Sequence, residues 1–242
     1  MTVPTFLRKV TLREICVIEE YVDVQYRAIE ALMDTLPSTD LVRLTVANAL
    51  VSYQLSSSGE DWWREFSSYF RERRPRDIVR EYARFLPRSR GNRRLIRQKL
   101  RRLHRAKAFL EELSWQDAKS YYRDMNRLRL DLARVLNADP ESKTIVFTVK
   151  MFGYALRAIT GRFRPYPFEI PIPVDARIER ITRRITNDDP QLYWDSIARR
   201  TGIPPLHLDS ILWVGTSRDP EVKRLLAKVL PKLIGELEML GN

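Results

Sequence analysis

A lysine and an aspartate carry the chemistry this sequence can do. Apolar residues recur at helical spacing up to Leu136, six residues follow (Asn137-Ala138-Asp139-Pro140-Glu141-Ser142), and Lys143 starts a second apolar-periodic stretch. Two helices therefore meet in a tight hairpin. An ammonium at a helix start opposes the helix dipole. A lysine placed there and partly desolvated has a lowered pKa and is available as the neutral amine that a Schiff-base nucleophile requires. Taken alone the signal is slight, because a basic side chain at a helix start is usually a surface residue. Downstream, Ile172-Pro173-Val174-Asp175-Ala176-Arg177-Ile178 opens another helix with Asp175 in the N-cap position. Most aspartates so placed are caps and nothing more.

Two aromatic residues stand beside polar ones at helical spacing. Lys143 and Phe147 are four apart, as are Asp209 and Trp213, so each pair projects from one helix face. Each pair offers a polar group beside an aromatic plate. Burial in a core is the commoner fate of helical aromatics, and on spacing alone it is the favoured reading.

The elements that must position these groups are helices. The pattern Leu12, Ile15, Ile18, Val22, Ile29, Leu32 predicts one long amphipathic helix ended by Pro37. A second runs from about 41 to 55 and stops at Ser56-Ser57-Ser58-Gly59; a third spans about 60 to 73 with Trp62, Trp63, Phe66 and Tyr69. Further helices are expected at about 76–86, 92–113, 115–136, 143–160, 175–187, 190–201, 205–214 and 220–240. Between 161 and 174, Pro165, Pro167, Pro171 and Pro173 forbid a helix. The fold expected is all-α, with two helical subdomains: residues 1–75 with 187–242, and residues 76–186, which hold the hairpin region at about 127–160 and the proline-rich loop leading to Asp175.

Composition excludes several chemistries. Of 242 residues 44% are apolar and 31% charged, a globular balance. A single cysteine, Cys16, leaves no disulfide framework, no multi-cysteine zinc site and no four-cysteine iron–sulfur cluster, and two histidines, His104 and His207, argue against a histidine-rich metal site. No metal or organic cofactor is expected. Residues 1–17 do not read as a signal peptide and no run of about 18 apolar residues occurs, so an intracellular, cytoplasmic protein without membrane attachment is expected.

Charge is concentrated rather than spread. From Arg71 to Lys107 the chain carries 14 Arg and 2 Lys against Glu72, Asp77 and Glu81, a local balance of +13 beside +12 for the whole chain. A block so one-sided repels itself unless it faces a polyanion, and nucleic-acid phosphates supply one. The alternative is a solvated helix face plus a loop.

A hairpin lysine, a stiff loop and Pro-Val-Asp opening a helix together resemble the helix-hairpin-helix DNA glycosylase superfamily. The chain is similar in particular to its archaeal 8-oxoguanine DNA glycosylase branch (AGOG), most specifically over residues 127–186 and 203–220. The resemblance implies a bifunctional base-excision enzyme of two helical subdomains with its active site in the cleft between them. It makes Lys143 the nucleophile and Asp175 the catalytic aspartate. It places Phe147 and Trp213 on the faces of the flipped base, Gln25 and Asp209 on its polar edge, Trp63 on the pocket wall, and Gln54 in the duplex gap left by the base. The implied partner is double-stranded DNA containing 8-oxoguanine, with single strands left open, acted on by a monomer. One departure stands out: the superfamily's hairpin is glycine-rich, whereas Asn137 to Ser142 contains no glycine and carries Asp139 and Glu141. A non-catalytic DNA-binding module and a glycosylase of other base specificity are the alternatives.

Overall fold

The computed structural model describes residues 3–241, and among them every regular element is a helix. Contacts divide the chain into two units: a terminal unit, Met1–Asp23 with Pro165–Asn242, and an internal unit, Val24–Arg164. In chain order the terminal unit begins with α1 (Thr5–Arg8) and α2 (Leu12–Tyr21). The internal unit follows with α3 (Val24–Glu30), α4 (Ser38–Val51), α5 (Gly59–Arg71), α6 (Ile78–Phe85), α7 (Ile96–Glu112), α8 (Trp115–Arg123), α9 (Met125–Leu136) and α10 (Lys143–Thr160). The chain then completes the terminal unit with α11 (Ala176–Ile185), α12 (Pro190–Thr201), α13 (Pro205–Gly215), α14 (Pro220–Val229), a 3₁₀ turn (Pro231–Leu233) and α15 (Ile234–Gly241).

The internal unit is built around α10. Ile145, Val146 and every residue from Thr148 to Arg157 are buried, because α10 packs against α3, α4, α8 and α9. A helix apolar on all sides can only be satisfied by being surrounded. α4 also packs on α7, and α3 on α5. Those pairings tie residues 24–75 to the helices that follow them, so the unit boundaries fall at 23/24 and 164/165 rather than at 75/76 and 186/187. In the terminal unit α13 is the hub, packed against α2, α11, α12, α14 and α15. Two buried polar residues fasten it: His207 Nδ1 lies 2.8 Å from Glu19 Oε1, and the Ser210 hydroxyl donates to the same oxygen at 2.7 Å.

Three expected helices are interrupted. The stretch from Leu12 to Leu32 is two helices, broken at Val22-Asp23 where the chain changes unit; both bury the same apolar stripe, so periodicity runs through the break unmarked. Asp124 divides 115–136, its side chain accepting from Arg127 N–H at 3.0 Å as the N-cap of α9. Pro231 divides 220–240, since it has no N–H to continue the ladder. The helix expected from 92 begins only at Ile96, after Leu95 takes a left-handed conformation.

Candidate active site

Lys143 is the first residue of α10, held at the exposed end of a helix that is otherwise wrapped by its neighbours. The side chain is exposed, which corrects the expectation of a partly desolvated amine: the surrounding helices bury α10 from Ile145 onward and leave its first residue outside. The hairpin before it reverses direction without glycine. Asn137 adopts φ +48°, a conformation asparagine tolerates, and the Ala138 N–H reaches back to the Ala133 carbonyl at 2.9 Å. Asp139 then accepts the Glu141 N–H on its side chain at 2.8 Å and the Ser142 N–H on its carbonyl at 3.0 Å. Its carboxylate thus serves the turn itself.

Gln25, Gln54, Trp63, Lys143 and Phe147 belong to the internal unit. Phe147, one turn beyond Lys143 and half-buried, meets Trp63 edge to face with ring centroids 6.4 Å apart. Trp63 is only 1% exposed and packs in the same manner on Phe66, so it backs Phe147 from the core rather than forming an open wall. Gln25 is buried on α3, the helix that packs on both α5 and α10. The helices carrying Gln25, Trp63, Lys143 and Phe147 are therefore joined in one cluster.

Gln54 is exposed at φ +47°, on the turn that leaves α4. Arg102 of α7 connects this turn to the start of α10: its Nη1 donates to the Leu50 carbonyl at 3.2 Å and to Thr144 Oγ1 at 3.3 Å, and its guanidinium lies 4.4 Å from the Tyr53 ring. Periodicity gave no sign of Arg102, which reads in the sequence as one more member of the basic block.

Asp175, Asp209 and Trp213 belong to the terminal unit. Asp175 is half-buried, and its Oδ1 accepts the Arg177 and Ile178 N–H groups, each at 2.9 Å, so the capping role read from sequence is present. Asp209 is buried and Trp213 half-buried on α13. Arg177 joins the two helices, donating from Nη1 to the Trp213 carbonyl and setting its guanidinium carbon over the indole ring. Only its place two residues after Asp175 could have drawn attention to it.

Cys16, Glu19 and His207 offer ligand atoms within 4.8 Å of one another. Both imidazole nitrogens are engaged, however, Nδ1 with Glu19 and Nε2 accepting the Tyr166 N–H at 3.4 Å, so the cluster reads as a fastening of α2 to α13. No helix of the described residues is long and apolar enough to cross a membrane.

A protein named N-glycosylase/DNA lyase from Thermococcus kodakarensis is 48% identical over 219 residues, covering 89% of this chain and 83% of its own. One of the same name from Methanococcus maripaludis is 41% identical over 208 residues, 85% of this chain and 82% of its own. Among solved structures, the Pyrobaculum aerophilum 8-oxoguanine DNA glycosylase Pa-AGOG, crystallised with 8-oxoguanosine, matches with a TM-score of 0.81 at 30% identity over 99% of this chain and 94% of that one. It shares the all-α fold. Residues 4–239 match the family described as AGOG, N-glycosylase/DNA lyase, and the chain belongs to that family.

Proposed function

We propose that this N-glycosylase/DNA lyase excises 8-oxoguanine from DNA, with Lys143 as nucleophile and Asp175 as its carboxylate partner. The observation that carries the reading is Lys143 at the exposed head of α10 with the half-buried Phe147 ring one turn behind it. An amine there reaches a sugar whose base lies against Phe147.

In this reading arginines grip the backbone through phosphates, the damaged nucleotide leaves the stack, and Gln54 fills its place. The base stacks against Phe147 and Trp213, Trp63 backs Phe147, and Gln25 and Asp209 meet its polar edge. Lys143 Nζ bonds to C1′ as the N-glycosidic bond breaks, and the base departs with a proton. Asp175 stabilises the positive charge that develops on the sugar. Ring opening leaves an imine on Lys143; loss of a C2′ proton then expels the 3′ phosphate by β-elimination, and water releases the enzyme. Desolvation of the exposed amine comes from the bound nucleotide. Guanine is rejected because it lacks the N7–H of the oxidised base, so an acceptor placed for that proton is left unpaired. The enzyme acts as an intracellular monomer on double-stranded DNA.

Borohydride trapping tests the assignment. The wild type is expected to cross-link to a duplex containing 8-oxoguanine and Lys143→Gln is not. A Lys143→Gln variant that still cross-links removes that residue from the role, and a wild type that binds DNA without trapping or nicking leaves a binding module only.

A further inference from the structure

The last turn of a helix leaves its carbonyls without partners inside the helix. At the end of α4 each of them is supplied from elsewhere. The Ser52 hydroxyl donates to the Asn48 carbonyl at 2.7 Å and the Ser52 N–H to Ala49 at 3.1 Å, while Arg102 Nη1 donates to Leu50 at 3.2 Å and Asn92 Nδ2 to Val51 at 3.0 Å. Tyr53 comes next, its ring centroid 4.4 Å from the Arg102 guanidinium carbon and 5.0 Å from Lys99 Nζ. Then comes Gln54, exposed at φ +47°. A side chain persists at such an angle where its surroundings fix it, and here the fixing groups come from α7 and the loop before it.

Arg102 does more than cap α4. A cation suits the C-terminal end of α4, where the helix dipole is negative. Yet the same Nη1 also reaches Thr144 Oγ1 at 3.3 Å, in the first turn of α10, where the dipole is positive and a cation is disfavoured. Capping α4 gives no reason for that second bond. Thr144 directly follows Lys143, and α4 packs against both α7 and α10 within the internal unit. One half-buried guanidinium therefore ties the turn that bears Gln54 to the turn that bears the amine.

We propose that Arg102 is a positioning residue that couples the two turns: entry of Gln54 into the duplex gap sets the turn of Lys143 through the bond from Arg102 to Thr144. The proposal rests on the reading of this chain as a base-flipping glycosylase. A residue that only supports the fold, or only steadies Lys143, slows excision whether or not Gln54 is present. A coupling residue does so only while Gln54 is present. Single-turnover excision of 8-oxoguanine from a duplex is measured for Arg102→Met and Thr144→Val, each alone and combined with Gln54→Ala. Thr144→Val deletes one hydroxyl and leaves Arg102 on the Leu50 carbonyl, so loss of the α4 cap does not confound it. Each change alone is expected to slow excision about threefold to tenfold, and Thr144→Ser, which keeps the acceptor, to stay within about twofold of the wild type. In the Gln54→Ala background either change is expected to cost less than about twofold. An equal fall in both backgrounds, or unchanged excision in Thr144→Val, overturns the coupling. So does a Gln54→Ala protein as fast as the wild type, since nothing is then transmitted. A wild type that excises nothing overturns the underlying reading instead, and that outcome is visible before any variant is compared.

Discussion

The Arg177 guanidinium stands 3.7 Å from the centroid of the Trp213 ring, and its Nη1 donates to the Trp213 carbonyl across 2.8 Å. One face of the indole is thereby occupied, and its plane is tied to the first turn of the helix that Asp175 caps. In the proposed site the base uses the opposite face, so Arg177 is a positioning residue for the base and not for the sugar. Such a contact is worth about 0.5–2 kcal/mol. Arg177→Met is expected to raise KM for excision by about threefold to tenfold, while nicking of a preformed abasic site, which has no base to stack, stays as in the wild type. Equal loss on both substrates would reject this role.

In the proposed mechanism Asp175 has two duties that substitution can separate. Asparagine caps a helix as well as aspartate does, so Asp175→Asn should keep the wild-type Tm while excision falls by about a hundredfold or more. Asp175→Ala should lose the activity and also about 1 kcal/mol of stability, read by thermal or urea denaturation. Retained excision in Asp175→Asn makes the residue a cap only.

Gly91 has no room for a side chain. A β-carbon there would lie 2.9 Å from Glu65 Oε2, 3.0 Å from Ser57 Oγ and 3.3 Å from the Trp62 α-carbon, the last of which is backbone. Gly91→Ala is expected to destabilise the fold by about 1–3 kcal/mol, since overpacking must move one of these groups. Equilibrium denaturation measures it.

Lys99 is fully buried, bonded to Asn92 Oδ1 and 5.0 Å from the Tyr53 ring. Burial, with Arg102 and Arg94 nearby, lowers its amine to about 8 from the ordinary 10.5. Between those values the unfolded chain holds the proton and the folded one releases it, so this group makes stability rise with pH. The expected signature is a stability difference, wild type minus Lys99→Met, that grows from pH 8 to 10. A flat difference contradicts it.

Much of the fold is legible in the sequence because helices announce themselves by apolar spacing and by their stops. The limits of α10 and α12 match the spacing, with Gly161 and Gly202 left-handed at their ends. What periodicity hides are breaks that preserve the stripe, as at Asp23 and Asp124, where polar residues turn the chain while the apolar face continues. The proposed site divides similarly. Lys143, Phe147, Asp175 and Trp213 are visible as residue types at helix starts and four-residue intervals, whereas Gln25, Trp63 and Gln54 enter through family resemblance, since nothing in local spacing distinguishes a buried glutamine on α3 from any other. Arg177 and Arg102 escape both routes: each acts through contacts distant in sequence.

The terminal unit draws on both ends of the chain, with α2 and α13 fastened through Glu19 and His207. During synthesis the ribosome therefore releases α10 before the segments that complete the terminal unit, while α2 of that unit waits for partners not yet translated. A polypeptide halted between residues 143 and 175 owns Lys143 but neither Asp175 nor Trp213, so in the proposed mechanism such a partial chain holds no complete site.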